Sequence, residues 1–398
     1  MILVHICCSV DSHFFLQKLR EKFINSTLIG YFYNPNIHPK AEYDLRLNDV
    51  KRSCAMLNIE LVEGDYELNH WFSGVKGLEN EPEKGERCVK CFDIRLIQTA
   101  FFAKAQGIKQ FTSTLLSSPM KEREILYEQG DKIAKEHNLE FIKLDVRTGG
   151  GTQEQAKLAK KDNLYRQNYC GCGFALNKQR EKSNKIPLEL IEHIGKQFLP
   201  ASNEERIRTF ARRDILEQED SPYILSKRSI IAWRVLRANA RCGDELIDIY
   251  VLCNSQSKNA TKTSGIVWTK TLVPSPLYLA PFLMKSSINI HKEMQSLPQT
   301  PIIQNVFIGL ASKDDSVFVS VKDINTLCKR TYTSVREMVH NPLPYELEVA
   351  LRICLCGFGS INPIVVLDTR RTISLRLTIH AVFQEESVFT ITEGIKTQ

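Results

Sequence analysis

Short apolar runs alternate with helical spacings through the first 180 residues. Ile2–Ile6, Leu28–Tyr33, Ile59–Glu63, Gln110–Thr114 and Glu140–Asp145 are rich in Ile, Val, Leu, Phe and Tyr, and each predicts a strand. Between them, Tyr43, Leu47, Val50, Cys54 and Leu57 step by four and three, as do Ile94, Ile97 and Phe101, the spacing of an amphipathic helix. Strands separated by helices predict an α/β unit with a parallel sheet. Asn34-Pro35, Pro39 and the Gly149–Gly151 triplet fall between periodic segments and read as loops.

The pattern then changes. Periodicity stops and charge rises at Lys178–Lys185 (KQREKSNK), which places a first domain at 1–185 and a basic linker at 186–205. From Ser229 onward, Ile247–Cys253, Gly265–Lys270, Val317–Val321 and Arg371–Phe383 are separated by Ser, Pro, Asn and Gly. They predict a second, β-rich (α+β) domain over 206–398.

Composition narrows the class. The 398 residues carry 53 basic and 46 acidic side chains, a net charge of +7, which permits a polyanionic partner without requiring one. No basic leader precedes the first apolar run and no stretch approaches the roughly 20 apolar residues of a membrane span, so a cytoplasmic protein without a membrane partner is expected. Twelve cysteines in such a chain point to metal or redox chemistry rather than disulfides.

Six of the seven cysteines before residue 180 form three close pairs: Cys7–Cys8 after the first strand, Cys88–Cys91 in RCVKC, and Cys170–Cys172 in YCGCGF. Clustered thiolates repel one another and call for a shared cation. One structural zinc or one four-iron four-sulfur (4Fe-4S) cluster needs four ligands, so six thiols leave a surplus. Asp11, three residues after Cys8, has two readings: the N-cap of a helix beginning near Ser12, or a seventh ligand. As a ligand it completes a set of four for a cluster and three for one additional iron. Cys354 and Cys356 in LRICLCGFG and Cys54 on its helix read as core residues, and Cys242, Cys253 and Cys328 have no close partner in sequence.

NPNIHPKAEYDLR at 34–46, GLENEPEKGERCVKCFDIRL at 77–96, FTSTLLSSPMK at 111–121 and LYRQNYCGCGFAL at 164–176 together resemble the QueH epoxyqueuosine reductases, over about residues 1–180. The resemblance implies a Rossmann-like core, a 4Fe-4S cluster and one additional iron, with Cys7, Cys8, Asp11, Cys88, Cys91, Cys170 and Cys172 as metal ligands. It further implies cobalamin-independent reduction of epoxyqueuosine to queuosine at the wobble position of tRNA, fed by an unidentified electron donor. Arg46, Arg95 and Arg166 lie within the matching strings and Arg123 two residues beyond one of them, and all four are candidate RNA contacts. His5, His38, Tyr43 and Tyr165 are candidate proton donors, Tyr43 being taken as the catalytic one. Two other readings compete: an ATP-dependent tRNA-thiolating protein, with VHICCSVDS in the place of its phosphate loop, and a zinc-stabilised RNA-binding protein. Residues 206–398 carry no recognised motif, and tRNA docking is their expected role.

Overall fold

The computed structural model describes residues 1–191, 197–256, 262–283, 302–368 and 371–394. The chain divides into two compact units, Met1–Leu190 and Ile191–Gln398.

The first unit is built on five parallel strands: β1 (Ile2–His5), β2 (Leu28–Phe32), β3 (Glu60–Glu63), β4 (Gln110–Ser113) and β5 (Glu140–Phe141). Their order is β3-β2-β1-β4-β5, so β1 is central, and Ile2, Leu3 and Val4 have no exposed surface. That burial on both faces explains an unbroken apolar run where a half-exposed strand would alternate. The helices are α1 (Ser9–Lys22), α2 (Lys40–Met56), α3 (Leu68–Gly74), α4 (Glu86–Ala105), α5 (Arg123–His137), α6 (Gly151–Lys161) and α7 (Gly173–Lys182).

All five expected strands are present, and the fifth is shorter than the apolar run that predicts it. The α2 spacing holds, with Tyr43, Leu47, Val50 and Cys54 buried. On α4 the buried face runs instead through Phe92, Leu96, Thr99 and Ala103, while Phe101 is exposed. Ile94, Ile97 and Phe101 lie beside the stripe that packs on the sheet, because Thr99 and Ala103 make a narrow buried face that apolarity alone does not reveal. The charged stretch at 178–185 does not end the unit: α7 runs through it to Lys182, and a short 3-10 turn follows at Leu188–Leu190. Residues 192–196 of the expected linker lie outside the described residues.

The second unit contains α8 (Asn203–Gln218) and the strands β6 (Tyr223–Cys242), β7 (Glu245–Ile247), β8 (Ile249–Val251), β9 (Lys262–Pro274), β10 (Ile303–Ala311), β11 (Val317–Ser320), β12 (Ile364–Leu367) and β13 (Ser374–Glu393). They form one sheet, β7-β6-β13-β9-β10-β11-β12-β8, antiparallel except between β11 and β12. Among the described residues four more helices follow, α9 (Pro276–Leu283), α10 (Val321–Cys328), α11 (Val335–His340) and α12 (Tyr345–Cys356). The expected strand Ile247–Cys253 is split between β7 and β8, and the segment expected at Arg371–Phe383 extends as β13 to Glu393, paired along its length with β6. The last three residues of the expected linker begin α8, on which Arg206 and Arg213 are buried. Cys354 and Cys356 end α12, half-buried, and Cys253 and Cys328 are buried.

Candidate metal centre

The strand order reverses between β1 and β4, and ligands of open α/β sheets bind in the crevice beyond the carboxyl ends at such a point. Cys7 stands there. Its backbone N–H donates to Thr114 Oγ1 at 3.1 Å, and that hydroxyl lies 3.3 Å from Cys7 Sγ, tying the end of β1 to the end of β4.

The three cysteine pairs reach one place through three helix starts. Cys8 occupies the N-cap of α1, Cys88 lies in the first turn of α4, and Cys172 is the N-cap of α7. Cys91 follows Cys88 by three residues and so shares its helix face. Helix N-termini stabilise negative charge, but the neighbouring thiol at Cys8 and Cys172, and burial at Cys88, outweigh that and hold all three above the ordinary thiol range. Gly171 permits the Cys170–Cys172 loop to close: its φ is +109°, and a Cβ there would lie 2.7 Å from Ile37 Cγ1. The loop is pinned to the 34–39 segment, because His38 N–H donates to Gly171 O at 3.0 Å, Gly173 N–H donates to His38 Nε2 at 2.8 Å and Tyr169 O–H donates to His38 O at 2.7 Å.

All six cysteines and Asp11 line a single cavity of about 360 Å³. The donor atoms of Cys7, Cys8 and Asp11 lie within 4.8 Å of one another. Asp11 is not the helix cap, since α1 begins at Ser9 and places it within the first turn. Its Oδ2 lies 3.5 Å from Cys7 Sγ, and its Oδ1 accepts from Gln155 Nε2 at 2.9 Å. Gln155 is held in turn by Ser117 Oγ, which donates to its Oε1 at 2.7 Å. Gln167 Nε2 donates to Cys8 Sγ at 3.1 Å. Cys91 and Cys172 pack with Trp71 and Ala175, with Cys170 against them.

Electrostatics divide the Cys7–Cys8 and Cys170–Cys172 pairs each into an acidic and a reluctant thiol. The Cys172 hydrogen bond, with help from the Lys121 ammonium, holds Cys170 well below the usual thiol range, while Cys172 is pushed up by the same sharing. The hydrogen bond from Cys8 lowers Cys7, and Cys8 rises. Burial raises the Asp11 carboxyl. Lys121 is desolvated, yet the negative charge of Cys170 and Cys88 holds its pKa above its ordinary value.

The candidate arginines separate. Arg46 and Arg95 are buried and line the cavity; Arg46 is committed to Glu42 at 2.7 Å and to Tyr169 O at 2.9 Å, and Arg95 to Asn34 Oδ1 at 2.5 Å. Arg166 lines the cavity and is exposed. Arg123 pairs with Asp145 and Glu124 and is not among the lining residues. None of the four candidate proton donors lines it either. Tyr43 is fully buried, packed edge-on against Phe32, His5 bridges Ser113 and Tyr33 O, and Tyr165 donates to Glu42.

Sequence reasoning did not single out Lys121, Gln155, Gln167, Arg87 or Asn34, which also line the cavity. Lys121 ends FTSTLLSSPMK and Gln167 lies in LYRQNYCGCGFAL, whereas Gln155 sits on α6 with no motif to mark it. The cavity is short of polar partners: Asn36 Oδ1, Trp71 Nε1, Arg87 Nη2, Arg95 Nε and Gln167 Oε1 are buried in its lining without a hydrogen bond. Buried polar atoms are nearly always satisfied, so this concentration marks a cavity shaped for a polar occupant. Soft thiolates beside one hard carboxylate fit iron and iron–sulfur groups.

Residues 2–178 match the family model described as epoxyqueuosine reductase QueH. An epoxyqueuosine reductase QueH of Helicobacter pylori is 39% identical over 402 residues, covering 98% of this chain and 99% of that protein. One of Thermotoga maritima is 34% identical over 188 residues, 46% of this chain and 95% of that protein. A solved structure of a predicted subunit of tRNA methyltransferase from Methanocaldococcus jannaschii is 13% identical, with a TM-score of 0.29 over 47% of this chain and 90% of its own. Neither the thiolating reading nor the zinc reading is favoured by the family matches.

Proposed function

The chain belongs to the epoxyqueuosine reductase QueH family, and from that membership we propose that it reduces epoxyqueuosine to queuosine at the wobble position of tRNA, the last step of queuosine biosynthesis, in the cytoplasm. The observation that carries this reading is the convergence of six cysteines and Asp11 on one cavity at the switch point of the sheet. The reaction removes the epoxide oxygen as water and leaves an alkene, which takes two electrons and two protons.

Cys88, Cys91, Cys170 and Cys172 would hold a 4Fe-4S cluster, and Cys7, Cys8 and Asp11 one additional iron. The close grouping of the last three donor atoms supports this division. When bound, these groups supply one-electron transfer and a Lewis acid for the epoxide oxygen. The protein's part is to orient and to exclude water. Gln155 and Gln167 fix Asp11 and Cys8 from the side of α6 and the 164–170 loop. The unsatisfied atoms of Trp71, Arg87, Arg95, Asn36 and Gln167 offer donors and acceptors to the polar substrate. Lys121, protonated and lining the cavity, replaces the four earlier candidates as the group placed to deliver a proton. Arg166 is exposed at the cavity and is the arginine best placed to meet RNA phosphate. All these residues lie within 1–185.

Anaerobic reconstitution tests the reading. About five irons per chain with about four acid-labile sulfides are expected, together with turnover of epoxyqueuosine-containing tRNA by an artificial two-electron reductant. Cys88→Ser and Cys91→Ser should each abolish the broad visible absorption of the cluster. Equal iron and sulfide would remove the extra iron, and a colourless protein holding only zinc would remove the reductase.

A further inference from the structure

β6 contains five basic residues, Lys227, Arg228, Arg234, Arg237 and Arg241, and no acidic one. The register of the β6–β13 ribbon sets Arg241 directly opposite Arg376 and Arg237 directly opposite His380, with Asn239 opposite Thr378 between them. Residues two apart on a strand share a face, so these six side chains stand on one side of the ribbon. The other side is packed: Ala240, Leu375, Leu377 and Ile379 belong to a buried cluster. Arg237, Arg241 and Arg376 are exposed.

Directly opposed side chains on antiparallel strands have Cβ atoms about 4.5–5.5 Å apart, and like charges there destabilise the sheet. Arg241 and Arg376 are such a pair. Among the described residues neither Arg237 nor Arg376 has an acidic partner, and Arg241 donates only to the backbone carbonyl of Asp244 at 2.7 Å. Arg237 and Arg241 are four residues apart, about 13 Å along the strand. Three uncompensated guanidinium groups on this scale form a track for an extended polyanion rather than a pocket for a single anion.

We propose that the Arg237–Arg241–Arg376 face of the second unit binds the phosphate backbone of the tRNA substrate. The inference rests on the reductase reading for the identity of the polyanion, and on charge complementarity for the place. Arginine meets phosphate oxygens through its planar fork without reading sequence, so the face would contribute affinity common to all tRNA substrates rather than base specificity.

The test uses the full chain and an unmodified tRNA transcript, with binding followed by fluorescence anisotropy across a salt series. Arg237→Gln, Arg241→Gln and Arg376→Gln combined should weaken binding at least tenfold near 0.1 M salt and flatten the slope of log affinity against log salt by about 2 to 3. The triple Lys replacement keeps the charges and should keep the slope, which separates a charge effect from misfolding. Arg336→Gln, at an exposed arginine on α11 paired with Asp248, should leave affinity unchanged. Unaltered affinity and slope in the triple Gln chain would overturn the proposal, as would loss of binding to anionic phosphatidylserine vesicles while tRNA binding persists. Because this assay contains no epoxyqueuosine, its failure leaves the turnover result standing; absent turnover with intact, arginine-dependent tRNA binding would instead count against the reductase reading alone.

Discussion

Gln155 donates its amide to Asp11 Oδ1 at 2.9 Å while Cys7 Sγ lies 3.5 Å from Oδ2, so the two carboxylate oxygens are divided between an orienting partner on α6 and the thiol at the end of β1. The carboxylate is thereby turned toward the cysteines. Partners of this kind are worth about 10–100-fold in metal affinity or activity. Gln155→Leu should therefore let a chelator strip one iron per chain about 10–100-fold more readily than from the parent, with cluster absorption retained. Equal resistance to chelation would show that Gln155 merely packs beneath α1.

Asp11→Asn separates charge from shape. The amide can still accept from Gln155 through its oxygen, and no helix cap is lost because Cys8 holds that position. A neutral amide is a poor iron ligand, so the variant should keep the four-iron cluster, lose about one iron per chain and lose turnover. Iron, sulfide and rate measured on one preparation decide it. Normal iron with normal turnover would remove Asp11 from the ligand set.

The sequence made the parallel sheet and the seven clustered residues legible because buried central strands leave unbroken apolar runs and thiols are rare enough to stand out. It could not place the candidate proton donors, because His5 closely precedes Cys7 and Tyr43 and Tyr165 lie within the matching strings, while their side chains turn to Ser113, Gly64 and Glu42 rather than to the cavity. Gln155 was invisible: a glutamine on an amphipathic helix is ordinary until α6 brings it against Asp11. The 20-residue strands β6 and β13 escaped as a pair because exposed Ile224, Ile231 and Leu236 on β6 break the alternation that marks a half-buried strand.

Gly171 and Gly149 both adopt left-handed backbone, with φ of +109° and +62°, but only at Gly171 would a Cβ meet another residue, 2.7 Å from Ile37 Cγ1 and 3.2 Å from Ile37 Cα. Gly149→Ala should cost about 1–2 kcal/mol, the backbone penalty alone. Gly171→Ala should cost more and lower the melting temperature further, at about 2–4 °C per kcal/mol. It should also weaken cluster retention, since Gly171 separates Cys170 from Cys172. Equal melting shifts in the two variants would mean that contact with Ile37 does not hold the cysteine loop.

His38 links that loop to acidity. Accepting the Gly173 N–H on Nε2 leaves its proton on Nδ1, facing Asn36 O at 3.1 Å, so the ring works as a neutral imidazole. Burial lowers its pKa below the ordinary value. A depressed folded pKa means that the unfolded chain takes up the proton first as pH falls, so stability is full above about pH 6.5 and declines below it until the folded ring is also protonated. His5 and His13 are lowered by burial in the same direction. The metal-free chain should therefore melt at lower temperature at pH 5 than at pH 7, and His38→Gln should make that difference smaller without abolishing it. A pH dependence identical to the parent would show that His38 is protonated alike in the folded and unfolded chain, and that the Gly173 contact does not depend on the neutral ring.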